Sequence, residues 1–354
     1  MFAMIRLLCI LFAGLPILAA CPMTSPDSVL PRNMALKAFD PHRKSFECRH
    51  EADAVPTIDP EAEAWFQEGM RVTSRDLWPN QRDYPKAVEL WTKAAERKHW
   101  KAMINLAGVL VEGDGTEPYV VPPNTERAVR IVEEAMKLDI PAAFDLMGSY
   151  YQRGLGVKSD ASRAYAFREL AADKGNPSAQ AFLGKSIKAA YDNPKEGFWA
   201  NREIGLRMLE CSFAQGYGSG AYLLGSDLRF TVKDYSRAVS VLHEGVKLGC
   251  EKCANALSSM FDVADEARGA PNADPARAAR YDALGDALYL NPDLRFPNLD
   301  KVLPLPPTPL PKWDGNKKTL IDAAKAIVPT PGPSAASPVA IPVDAATGFR
   351  RDPS

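Results

Sequence analysis

The order of apolar and polar positions from Asn124 to Asp160 predicts two short helices joined by a turn and closed by a Gly154-x-Gly156 loop. Asn124 suits the first helix as its N-cap, because its side chain can accept from the orphan amides of the first turn. Ala128 and Ala135, seven residues apart, fall on nearly the same helical face and leave room for a neighbouring helix. The second helix carries Met147-Gly148 at its centre, with Tyr150 and Tyr151 beyond. The two glycines that come next supply a left-handed backbone that other residues adopt only at a cost. A helix pair of this size cannot bury its apolar face alone, so it needs copies.

The copies are present. First helices open on caps at Asp83, Asn124, Asp160, Asn201, Asp234 and Asp274, spaced by 41, 36, 41, 33 and 40 residues. Four residues after each cap stands a small residue: Ala87, Ala128, Ala164, Gly205, Ala238 and Ala278. Seven further on stands another: Ala94, Ala135, Ala171, Ser212, Gly245 and Gly285. The second helices keep the same register through Ala107, Gly148, Gly184, Gly225 and Ser258. Two independent columns therefore predict an all-α chain, an α-solenoid of about five to six helix-turn-helix repeats over 83–291 with an extended Pro-rich C-terminal arm. Only the first helix of the last repeat is clear.

The flanks differ in character. Residues 1–20 hold one charge, Arg6, followed by the apolar run Leu7 to Leu18. That run falls short of the roughly 20 residues a membrane span wants and reads as a signal-peptide core. It ends in Leu18-Ala19-Ala20-Cys21, which looks like a bacterial lipobox whose cysteine is lipidated. Pro22 is not the aspartate that holds many lipoproteins at the inner membrane, so the expected place is the periplasmic side of the outer membrane. Residues 21–58 are rich in proline and charge and read as a tether. Over 59–82, Asp59-Pro60 opens a capping helix whose Trp65, Phe66 and Met70 pack on the first repeat. Residues 292–327 form the arm and a short helix from Asn316 to Ile327. The arm has five prolines between Leu303 and Pro311 and favours polyproline II, while its interleaved leucines and Trp313 predict that it lies along the solenoid. The Pro-, Ala- and Ser-rich 328–354 read as a disordered tail.

Composition removes several functions. The formal net charge is −1, and about −2 without Arg6, which argues against nucleic acid as a partner. The four histidines are scattered, and neither a GxSxG nor a P-loop is present, so an enzyme is not expected and no cofactor is called for. Setting aside Cys9 and Cys21 leaves Cys48, Cys211, Cys250 and Cys253, an even number in an oxidising compartment. The Cys250-x-x-Cys253 pair favours a structural bridge, either local or to Cys211 one repeat away. A thioredoxin-like redox site would want a preceding strand, and zinc would want a second pair of ligands. Cys48 either pairs across to the body or stays free. Glu133, Glu169 and Glu210 each lie nine residues after a cap, and Arg130 and Arg207 precede two of them by three, which is ion-pair spacing. Together with Trp313 these are the candidate partner-binding residues, with a solvated face as the competing reading.

The Ala94-Ala95 and Ala171-Ala172 pairs, Leu183-Gly184, Gly113-x-Gly115 and Gly154-x-Gly156-Val157 resemble the hallmarks of Sel-1-like repeats, a tetratricopeptide-type branch of the α-solenoids. The resemblance covers Asp83 to Asn291 and implies protein binding. Lipobox, repeats and an arm ending in Trp313-Asp314-Gly315 together resemble repeat lipoproteins paired with type VI secretion lipase effectors. That resemblance implies an immunity protein that occludes a secreted phospholipase effector in the periplasm. A scaffold for cell-wall or outer-membrane assembly proteins is the alternative, and a thiol-disulfide enzyme using Cys250 and Cys253 a third.

Overall fold

A computed structural model describes residues 30–114, 119–189, 199–264 and 273–326. The signal peptide, Cys21, Gly115 and the tail from 328 lie outside the described residues. The chain divides into two compact units, Met1–Met34 and Ala35–Ser354. Of the first, one turn of 3-10 helix at Pro31–Asn33 is described. The second unit carries the repeats.

Its described residues form helices and connections, with no strand. α1 (Pro60–Val72) precedes five helix pairs. These are α2 (Tyr84–Glu96) with α3 (Trp100–Glu112), α4 (Thr125–Lys137) with α5 (Pro141–Arg153), and α6 (Ala161–Asp173) with α7 (Pro177–Ile187). Then come α8 (Arg202–Ala214) with α9 (Gly218–Asp227) and α10 (Tyr235–Lys247) with α11 (Glu251–Asp262). α12 (Pro275–Leu290) is the first helix of the sixth repeat, followed by α13 (Leu299–Val302) and α14 (Lys317–Lys325). Each second helix packs most extensively on the first helix of the next repeat, which is solenoid stacking.

Local chemistry sets where the first helices begin. Asp83, Asn124, Asp160, Asp234 and Asp274 each accept from the amide three residues on, at 2.9–3.0 Å. Asn201 occupies the same register but does not cap; its amide turns instead to the carbonyls of Pro41 and Arg43, 3.0 Å away in each case. The small columns allow close approach. A Cβ on Gly184 would lie 2.7 Å from the carbonyl oxygen of Gly205 in the next repeat, so neither position admits a larger residue without separating α7 from α8.

Both ends of the solenoid are covered. α1 stands in for a missing second helix: Phe66 is fully buried, and Trp91 of α2 donates its indole N–H to the Phe66 carbonyl. At the other end Phe296, Leu299, Leu303, Leu320 and Ala324 close the core that reaches back through Tyr281 and Leu242 to Leu209. The expected helix from Asn316 to Ile327 is found as α14, capped by Asn316, with Leu320 and Ala324 facing inward. The ends also meet. Asn291, after α12, donates to Asp76, after α1, and Arg75 pairs with Asp293 at 3.7 Å.

Candidate functional site

In a solenoid the first helices line one face, and the connections from second to first helices emerge along one edge. These are the surfaces on which a partner can be read, and the structure treats them differently.

The first-helix face is partly filled by the chain itself. Residues 35–58, expected as a free tether, pack against α6 and α8. Phe39 stacks on Tyr165 at 4.9 Å and meets Trp199 edge-on. Arg43 bonds to Asp173 at 2.8 Å and reaches Glu169 at 3.6 Å. From there the strap runs the length of α8, from Asn201 at its start to Gln215 at its end. It is held largely through its main chain, which side-chain amides of the scaffold read directly. Asn201 donates to the carbonyls of Pro41 and Arg43, and Gln180 and Gln215 donate to that of Arg49. The Glu51 N–H donates to Gln215 at 2.8 Å, and Asn176 donates to the Glu51 carboxylate at 3.0 Å. Gly175, at φ 106°, lets the strap backbone approach, since a Cβ there would lie 2.7 Å from the His50 carbonyl carbon.

A disulfide between Cys48 and Cys211 fixes the strap covalently across a separation of 163 residues. Cys211 therefore does not join the Cys250 pair, as one reading of the sequence allowed. Cys250 and Cys253 bond to each other at the start of α11, where Cys250 is the cap and accepts from the Cys253 amide. Among the described residues the grouping with metal-ligand chemistry is Cys48, His50 and Cys211, and the disulfide occupies two of its three donor atoms.

The expected recognition column does not form as a solvated row. Glu133 is 3% exposed and Glu169 6%, because their register faces neighbouring structure rather than water. Burial pushes the Glu169 carboxyl above its ordinary value, against the pull of Arg43. Arg130 and Arg207 are exposed but pair backwards, with Glu126 and Glu203 four residues earlier, and not with the glutamates three residues ahead. Glu210 pairs with Arg237 of the next repeat. Trp313 is half-buried, stacks on the Arg280 guanidinium at 5.5 Å and donates its N–H to the Asn316 carbonyl. The six candidates thus lie on α4, α6, α8 and the arm, each within its own set of contacts.

The connection edge, in contrast, exposes apolar side chains. Trp78 lies between α1 and α2, Tyr119 and Val120 between α3 and α4, Phe230 and Val232 between α9 and α10, and Val263 after α11. Trp78 is 74% exposed, an unusual position for an indole. The sequence carried this signal as large apolar residues outside the helical registers.

The arm is docked as the interleaved leucines and prolines suggest. Arg277 and Arg280 of α12 are almost fully buried and donate into its carbonyls: Arg277 to Pro304 and Thr308, Arg280 to Val302 and Pro311. Beneath them His243, buried, bridges the Tyr281 hydroxyl at 2.6 Å and the Asp300 carboxylate at 2.8 Å. Burial pulls its imidazole below the ordinary value despite the Asp300 hydrogen bond.

Comparison with known proteins places these features. The Sel1 repeat family profile matches residues 81–99, 100–138 and 145–176, and a domain of unknown function, DUF6396, matches 253–346. The Sel1-repeat-containing protein YjcO of Escherichia coli (strain K12) is 28% identical over 144 residues, 39% of this chain and 59% of YjcO. The match thus spans less than two thirds of that relative's length. Among solved structures, the immunity proteins PA5087 and PA5088 from Pseudomonas aeruginosa are 33% and 32% identical. Each comparison covers 75% of this chain and 96% of the other, with TM-scores of 0.60 and 0.62.

Proposed function

The chain belongs to the Sel1-repeat proteins, in one family with the Pseudomonas aeruginosa immunity proteins PA5087 and PA5088, and on that premise we propose that it is itself an immunity protein. Its partner in this reading is a phospholipase effector delivered to the periplasm by type VI secretion, which it neutralises by stoichiometric binding. The observation that carries the proposal is likeness to named immunity proteins over nearly their whole length. The solenoid supports binding rather than chemistry, since its buried histidines and arginines serve internal contacts.

The surface offered to the effector is the connection edge. An enzyme that works on lipid carries an apolar rim around its active-site entrance, and Trp78, Val120, Phe230 and Val263 give that rim an apolar counterpart. Covering the entrance excludes substrate with no catalytic step on this side. Lipidation at Cys21 would hold the protein at the periplasmic face of the outer membrane, where such effectors arrive. The test is a pull-down from envelope extract with a secreted, unlipidated Cys21→Ser form, followed by mass spectrometry. A phospholipase recovered in one-to-one complex supports immunity. Recovery of cell-wall or outer-membrane assembly proteins in its place would move the chain to a scaffold role.

A further inference from the structure

The docked arm leaves a cavity of about 590 Å³ between itself, α12 and α14. Arg280, Lys301 and Lys312 supply three cations to its lining against one carboxylate, Asp314. Trp313 forms an aromatic wall, and Val302, Pro311, Leu320 and Ala323 give an apolar interior. Asp314 already accepts from the Asn316 amide and the Thr319 hydroxyl, so its charge is directed into its own loop. Lys301 and Lys312 are exposed and have no ion-pair partner among the described residues.

Arg280 sets the chemistry. It is only 5% exposed, yet no carboxylate of the described residues pairs with it; the nearby Asp274 is taken by Arg277. Two of its nitrogens donate to the Val302 and Pro311 carbonyls, Trp313 covers its face, and its buried Nε has no hydrogen-bond partner. Carbonyl dipoles satisfy donors but do not cancel a charge. A buried cation ordinarily carries a counter-ion, because removing charge from water is costly unless it is paired. An anion in the cavity would supply that counter-charge. The apolar interior and the tryptophan wall require that the anion have an apolar body, and the volume lies within the range of small-ligand sites.

We propose that this cavity is a binding site for a small carboxylate carried on an alkyl chain, with the carboxylate between Lys301, Lys312 and the Arg280 charge and the chain against Trp313 and Leu320. The inference is independent of the immunity reading, since it concerns a small molecule and the isolated protein.

Titration of the unlipidated Cys21→Ser protein with octanoate by isothermal calorimetry tests it, with octylamine and octanol as probes of equal chain length. The expected result is saturable one-to-one binding of octanoate, at least about tenfold tighter than either control, the worth of one charge-assisted contact. The Lys301→Glu/Lys312→Glu protein should lose about tenfold or more in octanoate affinity while melting at the unchanged temperature, because both side chains are exposed and unpaired. Trp313→Ala should weaken octanoate and octanol alike. Octanol binding as tightly as octanoate, or octanoate heats that the double lysine variant leaves unchanged, would overturn the site.

Discussion

Two extended segments dock on the same helical scaffold by opposite means. The strap before α1 buries little apolar surface: Phe46 is its buried hydrophobic and Phe39 a half-buried one, and the rest of its hold is polar and covalent. The arm after α12 inserts Phe296, Leu299 and Leu303 into the core and is clasped by two buried arginines. The strap is therefore held on the outside of the scaffold by hydrogen bonds, ion pairs and one disulfide, whereas the arm completes the fold. A solenoid needs its last apolar face covered, and the sixth repeat lacks a normal second helix, so the arm takes that helix's place.

The sharpest way to break this contrast is to truncate the arm's anchor. Phe296→Ala should cost about 3–5 kcal/mol, the usual range for a buried phenylalanine, and show as a large drop in the urea midpoint. An equal effect from Phe39→Ala in the strap would erase the distinction. Next in size is the disulfide. Cys48→Ser/Cys211→Ser removes a constraint on a long loop and should cost about 2–5 kcal/mol, whereas Cys250→Ser/Cys253→Ser, which closes a separation of 3 residues, should cost much less. Thermal melts of the two double variants side by side decide it. Hydrogen exchange should show the strap opening in the first variant with the arm still protected.

Smaller effects separate the caps. Asn124→Ala removes a helix cap and should destabilise by about 1 kcal/mol, whereas Asn201→Ala should leave α8 intact and increase exchange in the strap around Pro41 to Arg43. Last is pH. His243 folds with its imidazole pulled below the ordinary 6.5, facing Tyr281, Asp300, Lys247 and Glu244. The unfolded chain then binds more protons between the folded and unfolded values. Stability from this contact is intact above 6.5 and is lost as pH falls through the folded value. His243→Gln should flatten that part of the stability profile, as followed by melting temperature across mildly acidic buffers.

The two segments were also unequally legible in the sequence. Helix caps depend on an amide three residues away, so Asp83 or Asp274 declares itself locally. The arm's interleaved leucines marked it as docked. The strap's partners lie 125 to 166 residues off, and its prolines and charges have the composition of a linker, so nothing local distinguishes it. The burial of Glu133 and Glu169 was hidden for a related reason. Position nine after the cap is glutamate in three of the six first helices, but what covers that position is tertiary: Glu169 lies beneath a strap arginine, and Glu210 meets the next repeat. Periodicity predicts which residues share a register, and packing alone decides whether that register sees water.

The most direct measurement is of inhibition stoichiometry. A phospholipase recovered in the pull-down, acting on phospholipid vesicles, is titrated with the Cys21→Ser protein. Immunity by occlusion predicts that hydrolysis falls in proportion to added protein and reaches zero near one equivalent. Undiminished hydrolysis at several-fold excess would contradict it.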